Sequence, residues 1–179
     1  MAERDVQTVT LKEYVRQMGG RMSMERTLKL LWPVIETLEK LHQEGIIHRN
    51  VCPDNITILP DGWAELIDYR EAQNIDYACQ DIPRLCNQGF DPLEEYLRKG
   101  KIGPWTDVHA MCATIYYCIT GDVPPSAVER VLDESVLNLQ LDVPMTVLQK
   151  VTLQQGLQFR QNLRIQSMTE LKKGLYIGS

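Results

Sequence analysis

The segment His48-Arg49-Asn50-Val51-Cys52-Pro53-Asp54-Asn55, followed after a short hairpin by Asp68-Tyr69-Arg70, is the stretch on which the reading of this chain turns. Between its two halves, Ile56-Thr57-Ile58-Leu59, the turn residues Pro60-Asp61-Gly62 and Trp63-Ala64-Glu65-Leu66-Ile67 are patterned as a β-hairpin. From Asp68 to Phe90 no period holds and polar residues dominate. Compact domains keep connections of that length mainly for function.

On both sides of this stretch the pattern is helical. Upstream, Thr10 and Glu13 have the spacing of a capping box, which predicts a helix from Leu11 to about Met18, stopped by Gly19-Gly20. Ser23 caps a longer helix whose stripe is Leu28, Leu31, Ile35, Leu38 and Leu41, widened by Leu30 and Val34 and closed by Gly45. Pro33 removes one donor inside it and predicts a local bend. Downstream, Trp105 to Thr120 is apolar nearly all round and reads as a buried central helix ended by Gly121 and Pro124-Pro125. Shorter helices are predicted from Ser126 to about Leu132, from Met145 to about Leu157, and from a Ser167/Glu170 capping box to about Leu175.

Bulk composition narrows the function classes. The 179 residues suit one domain, residues 1–179, and 44% hydrophobic content suffices for a core. With 19 Lys+Arg against 24 Asp+Glu the net charge is -5, and no basic run tracks a phosphate backbone or an anionic lipid surface. Neither nucleic acid nor membrane is expected as a partner. The polar opening Met1 to Thr10 lacks a signal-peptide core, so a cytoplasmic location is expected. Cys52, Cys79, Cys86, Cys112 and Cys118 form an odd set without a C-x-x-C pair, which speaks against both a disulfide framework and a zinc site.

The opening segment resembles the catalytic loop and metal-binding segment of protein kinases, with His48, Arg49, Asn55 and Asp68 on the positions of that pattern. The resemblance continues in order over about residues 10–175. Gly89-Phe90-Asp91-Pro92-Leu93-Glu94 is similar to the Ala-Pro-Glu segment that ends an activation loop, and Gly103-Pro104-Trp105-Thr106-Asp107-Val108 to the start of the buried central helix. Arg164 matches the late arginine that pairs with the Glu of that segment, which implies a buried Arg164–Glu94 ion pair. The implied architecture is mainly α: a kinase-like C-lobe, a helical bundle with a small β-hairpin next to the catalytic loop, without an N-lobe. Pro53-Asp54-Asn55-Ile56 followed by Leu59-Pro60-Asp61-Gly62 resembles bacterial Ser/Thr kinases most.

Several positions depart from the family. Only 47 residues precede His48, two helical patterns use most of them, and neither a G-x-G-x-x-G loop nor a strand-borne Lys is among them. Asn50 stands where the family has the aspartate that accepts the substrate proton, and an amide has no carboxylate for that work. Arg70 replaces a Gly and crowds Asp68, while Cys52 replaces the Lys directed at the transferred phosphate. From Asp68 through Glu94 there is no Ser or Thr to phosphorylate, so Arg49 is expected to hold the loop by pairing with an acidic loop residue such as Asp76 or Asp81.

These departures set the expectations. His48, Arg49, Asn50, Asn55 and Asp68 are degenerate catalytic positions with no catalytic role. Asn55 and Asp68 are candidates for a weak metal site or for loop anchors, with the anchor role ahead. Glu94, Asp107 and Arg164 are structural, and Trp105, Tyr116 and Tyr117 belong to the core. His42 and His109 have no companion ligand at metal spacing and carry no assigned role. No cofactor is expected, with weak binding of Mg or ATP left open. The expected function is that of an inactive pseudokinase C-lobe, a protein-interaction or regulatory module whose partner, or second copy, docks on the surface an N-lobe covers. The alternative is a split or truncated Ser/Thr kinase-like phosphotransferase whose N-lobe comes from elsewhere.

Overall fold

The computed structural model of the protein describes residues 8–75, 86–97, 99–133 and 142–176. Strand β1 (Val9–Thr10) leads directly into α1 (Leu11–Gln17), where Thr10 accepts from the Glu13 backbone and the Glu13 carboxylate accepts from Thr10 in return. Helix α2 (Met24–Gln43) starts at Ser23, whose hydroxyl accepts from Arg26 N, and runs unbroken through Pro33. The donor lost there is offset by burial on both sides, since Leu28, Leu31, Val34, Ile35 and Leu38 are all fully buried. Each such side chain contributes roughly 1.5–3 kcal/mol relative to exposure.

The hairpin pairs β3 (Ile56–Ile58) with β4 (Ala64–Leu66) in the register Ile56↔Leu66, Thr57↔Glu65 and Ile58↔Ala64. Its turn closes through Gly62 N to Leu59 O at 2.9 Å, with Gly62 at φ 89, and through Leu59 N to Trp63 O at 2.8 Å. Positive φ at the end of a type I turn suits glycine. A third strand, β1, adds on the far side of β3 with Val9 opposite Ile58. Two residues carry no readable alternation, which is why the sequence showed a hairpin only. For the same reason the pairing of β2 (Ile46–Ile47) with β5 (Gln73–Asn74) is absent from the sequence reading. That small ladder ties the entry of the His48 loop to the segment after Asp68.

The bundle is built on α4 (Pro104–Thr120), in which Val108, Met111, Cys112, Ile115, Cys118 and Ile119 are fully buried. Gly121 at φ 85 ends it, its N–H donating to Tyr117 O. Tyr116 and Tyr117 pack against the core, as the sequence indicates, whereas Trp105 does not join it: it is half-buried at the helix start, its Nε1 donating to Lys101 O at 3.2 Å. Around α4 stand α2, α6 (Val147–Gly156) and α7 (Met168–Leu175). The short α3 (Leu93–Tyr96) and α5 (Ala127–Leu132) complete the mainly helical C-lobe architecture.

Two details differ from the sequence reading. Helix α6 starts at Val147, because a Thr146/Gln149 capping box sets its first turn. The Ser167/Glu170 box is half formed: Ser167 accepts from Glu170 N, but the Glu170 carboxylate accepts from Gln166 N at 3.0 Å. Cys52, Cys86, Cys112 and Cys118 are free thiols, and Cys79 lies outside the described residues. Among the described residues no helix is long and apolar enough to cross a membrane.

Helices α4 and α6 touch at Gly156, where an added Cβ would run into Cys112 Sγ. Gly156→Ala is therefore expected to lower stability by about 1–3 kcal/mol through overpacking, measured as a fall in the urea midpoint at unchanged slope.

Candidate functional site: a braced loop with its carboxylate engaged

The loop after β2 hangs on one buried carboxylate. Asp107, in the first turn of α4 and fully buried, accepts from His48 N through Oδ2 and from Arg49 N through Oδ1, both at 2.8 Å. His42 Nε2 lies 2.8 Å from the same Oδ2. Burial by itself would raise the Asp107 carboxyl, but the bond and charge of His42, with smaller contributions from His48, hold it below the ordinary value. Held this way, Arg49 adopts φ 66, a left-handed backbone that costs a non-glycine residue energy. His42 therefore has a role that sequence spacing did not disclose, because 65 positions separate it from Asp107.

The guanidinium of Arg49 makes a two-pronged pair with Glu95: Nε to Oε1 at 3.0 Å and Nη2 to Oε2 at 2.7 Å. Both side chains are buried. Asp76 and Asp81, proposed from sequence as partners, lie outside the described residues, and Glu95 is the partner observed. One residue earlier in α3, Glu94 receives Arg164 through Nη1 at 2.6 Å and Nη2 at 3.2 Å, and Thr106 Oγ1 at 3.0 Å. Arg164 also donates to the carbonyls of Gln158, Trp105 and Phe159, so all five of its N–H groups are used. The Arg164–Glu94 pair expected from sequence is thus present and out of solvent contact.

A third buried arginine was not foreseen. Arg130 of α5, 1% exposed, donates through Nη2 to His109 Nε2 at 2.6 Å and through Nη1 to Leu157 O. His109 Nδ1 faces Phe90 O at 3.0 Å, so the ring is neutral, donating at one nitrogen and accepting at the other. Burial, then the charges of Arg164 and Arg130, push the His109 pKa well below its usual value. Burial also brings Arg130 down to about 10. Nothing in the sequence joins positions 109 and 130, because the contact exists only once α5 lies against α4.

The remnant of the catalytic constellation sits at the end of the braced loop. Asn50 donates from Nδ2 to Asp68 Oδ2 at 3.1 Å and accepts at Oδ1 from Asn87 Nδ2 at 2.9 Å. Asn55 donates from Nδ2 to Asn50 O at 3.0 Å. Asp68, at φ 63, is gripped by Arg70 through Nε to Oδ1 at 2.6 Å and Nη2 to Oδ2 at 2.8 Å. The Arg70 hydrogen bond, opposed by partial burial, holds the Asp68 carboxyl below its ordinary range. His48 stays behind this layer, fully buried, its ring meeting Tyr69 edge-on at 4.8 Å. A divalent ion needs free carboxylate oxygens at close range. Both oxygens of Asp68 already carry donors, and the Asn50 amide turns N–H groups toward them, so this donor set does not fit a metal ion. Among the described residues no three His, Cys, Asp or Glu side chains converge as ligands.

A buried aspartate bracing an Arg-bearing loop, a hairpin, an Asp-led segment and a buried Arg–Glu pair under the central helix together define a C-terminal lobe of protein-kinase type. The protein kinase domain family matches residues 2–172, and the chain belongs to that family. It is 28% identical over 136 residues to the serine/threonine-protein kinase PknL of Mycobacterium tuberculosis, covering 75% of this chain and 34% of that protein. Sperm motility kinase 2B of Mus musculus is 26% identical over 121 residues, 64% of this chain and 24% of that one. The chain thus spans about a quarter to a third of the curated relatives' length. The solved structure of the PpkA-294 apo form superposes with a TM-score of 0.75 at 27% identity, covering 94% of this chain and 60% of that chain.

Two outcomes follow from the buried charges. Glu94→Ala leaves Arg164 buried without a counter-charge and should cost about 3–5 kcal/mol in urea unfolding, more than the double change Glu94→Leu/Arg164→Met. His109 gives a pH signature. Its folded pKa lies well below the ordinary histidine value, so the unfolded chain takes up a proton first and stability falls as pH drops below about 6.5. That loss should shrink in His109→Gln, measured by melts between about pH 7 and pH 5.

Proposed function

We propose that this chain is a non-catalytic kinase-like lobe serving as a protein-interaction or regulatory module. The single observation that carries the reading is the state of the two key positions. Asn50 offers an amide whose donor and acceptor are both committed, and both oxygens of Asp68 are held by Arg70. Of the two groups that phosphoryl transfer asks of this loop, the proton acceptor is replaced by an amide and the metal ligand is engaged by an arginine.

The retained family residues then serve the fold. Asp107, Arg49, Glu94 and Arg164 carry the buried bonds that shape the loop and fasten the lobe. Ile67 and Tyr69, which flank Asp68, are exposed at 38% and 45%. Exposed apolar side chains beside a vacated catalytic loop suit contact with a protein partner or a second copy of the chain. The net charge of -5 favours a protein partner over nucleic acid or membrane, and a cytoplasmic setting fits the free thiols. A second reading, a phosphotransferase completed by a separate N-lobe, is favoured only by the retention of Asn55 and Asp68 near one another.

Nucleotide titration of the purified chain with and without magnesium separates the two. No saturable binding in the micromolar range and no phosphate transfer to an acceptor protein are expected. Magnesium-dependent micromolar ATP binding, lost on Asp68→Ala, would overturn the proposal.

A further inference from the structure

We infer that Arg70 is an internal cation that takes the place of a divalent ion at Asp68, with Asn50 shaped to match it, so that the loop closes without metal. This deepens the reading above and rests on its assignment of Asp68 as an idle carboxylate. A carboxylate offers about four lone-pair positions. Three are used here, two by the Arg70 fork and one by Asn50 Nδ2. The fork is fully formed although Arg70 itself is largely exposed, because only one residue separates it from Asp68 and the left-handed backbone at φ 63 turns the two side chains together.

Asn50 is the second half of the exchange. It donates to one neighbour, Asp68, and accepts from the other, Asn87, at 3.1 and 2.9 Å. An amide does both, whereas an ionised carboxylate can only accept. An aspartate at position 50 would still accept from Asn87, but it would face Asp68 with a second carboxylate at about 3 Å, where two like charges repel. The two departures from the family pattern are therefore one coupled change. With a cation built into the chain, an amide at position 50 closes the network. With an aspartate there and Arg70 gone, the two acids would repel, and a divalent cation at Asp68 would relieve that repulsion.

Melting temperatures of the full chain, of Arg70→Ala and of Asn50→Asp/Arg70→Ala, in EDTA and in millimolar MnCl2 without nucleotide, test the inference. The parent is expected to melt at the same temperature in both. The double variant should melt lower in EDTA and gain several degrees with Mn2+, with Arg70→Ala between them. An equal Mn2+ gain in the parent would overturn the inference, as would no gain in a double variant whose circular dichroism shows it folded. Where the double variant does not fold, electron paramagnetic resonance of Mn2+ with Arg70→Ala decides: tighter binding than in the parent supports the internal cation, and equal binding refutes it. Since nucleotide is absent throughout, either result leaves the phosphotransfer test separate.

Discussion

One carboxylate at the start of the central helix organises everything above it. Asp107 is out of water, and its two oxygens receive the backbone N–H groups of His48 and Arg49 and the ring of His42. Charge-assisted bonds of this kind are about twice as strong as neutral ones, and they are gathered at the point where Arg49 bends into a left-handed conformation. That bend sends the Arg49 side chain down to Glu95 while the chain continues up through Asn50 to Asp68. Without the brace, neither the ion pair below nor the amide network above would have its geometry.

The two neighbouring glutamates of α3 divide the labour. Glu94 faces Arg164 at the far side of the bundle, and Glu95 faces Arg49 of the loop. A four-residue helix has little stability of its own, so its position depends on these two pairs and on Thr106 beneath Glu94. Buried ion pairs contribute little net stability relative to well-packed apolar side chains. What they specify here is register, since each arginine accepts one carboxylate in one orientation. Arg49 is thus neutralised by a carboxylate encoded in the chain, Glu95, and the segment from Asp68 through Glu94 carries no Ser or Thr.

At Asp68 the same principle appears in a wetter setting. A surface pair between near neighbours is worth little alone, but Arg70 acts together with Asn50 and Asn87, and each member satisfies the next. Local consistency of this kind is what distinguishes a settled structure from a damaged active site. Within this loop His48, Arg49, Asn55 and Asp68 stand on the positions of the family pattern, and Asn50 and Arg70 depart from it.

Much of this was legible in the sequence, because its signals are local. Caps at Thr10, Ser23 and Ser167, the stripe from Leu28 to Leu41 and the unbroken apolar run of α4 each lie within a few turns of chain. The ordered series from His48 to Arg164 marked the fold and one ion pair. The partners of Arg49, His42, His109 and Arg130 were not readable, and neither were the two-residue strands. Each depends on groups dozens of positions apart that meet only after the helices pack, and a carboxylate's choice among several arginines is decided by distance in space. The sequence determined which chemical groups are present and which are missing; the tertiary structure decided which of them neutralise one another.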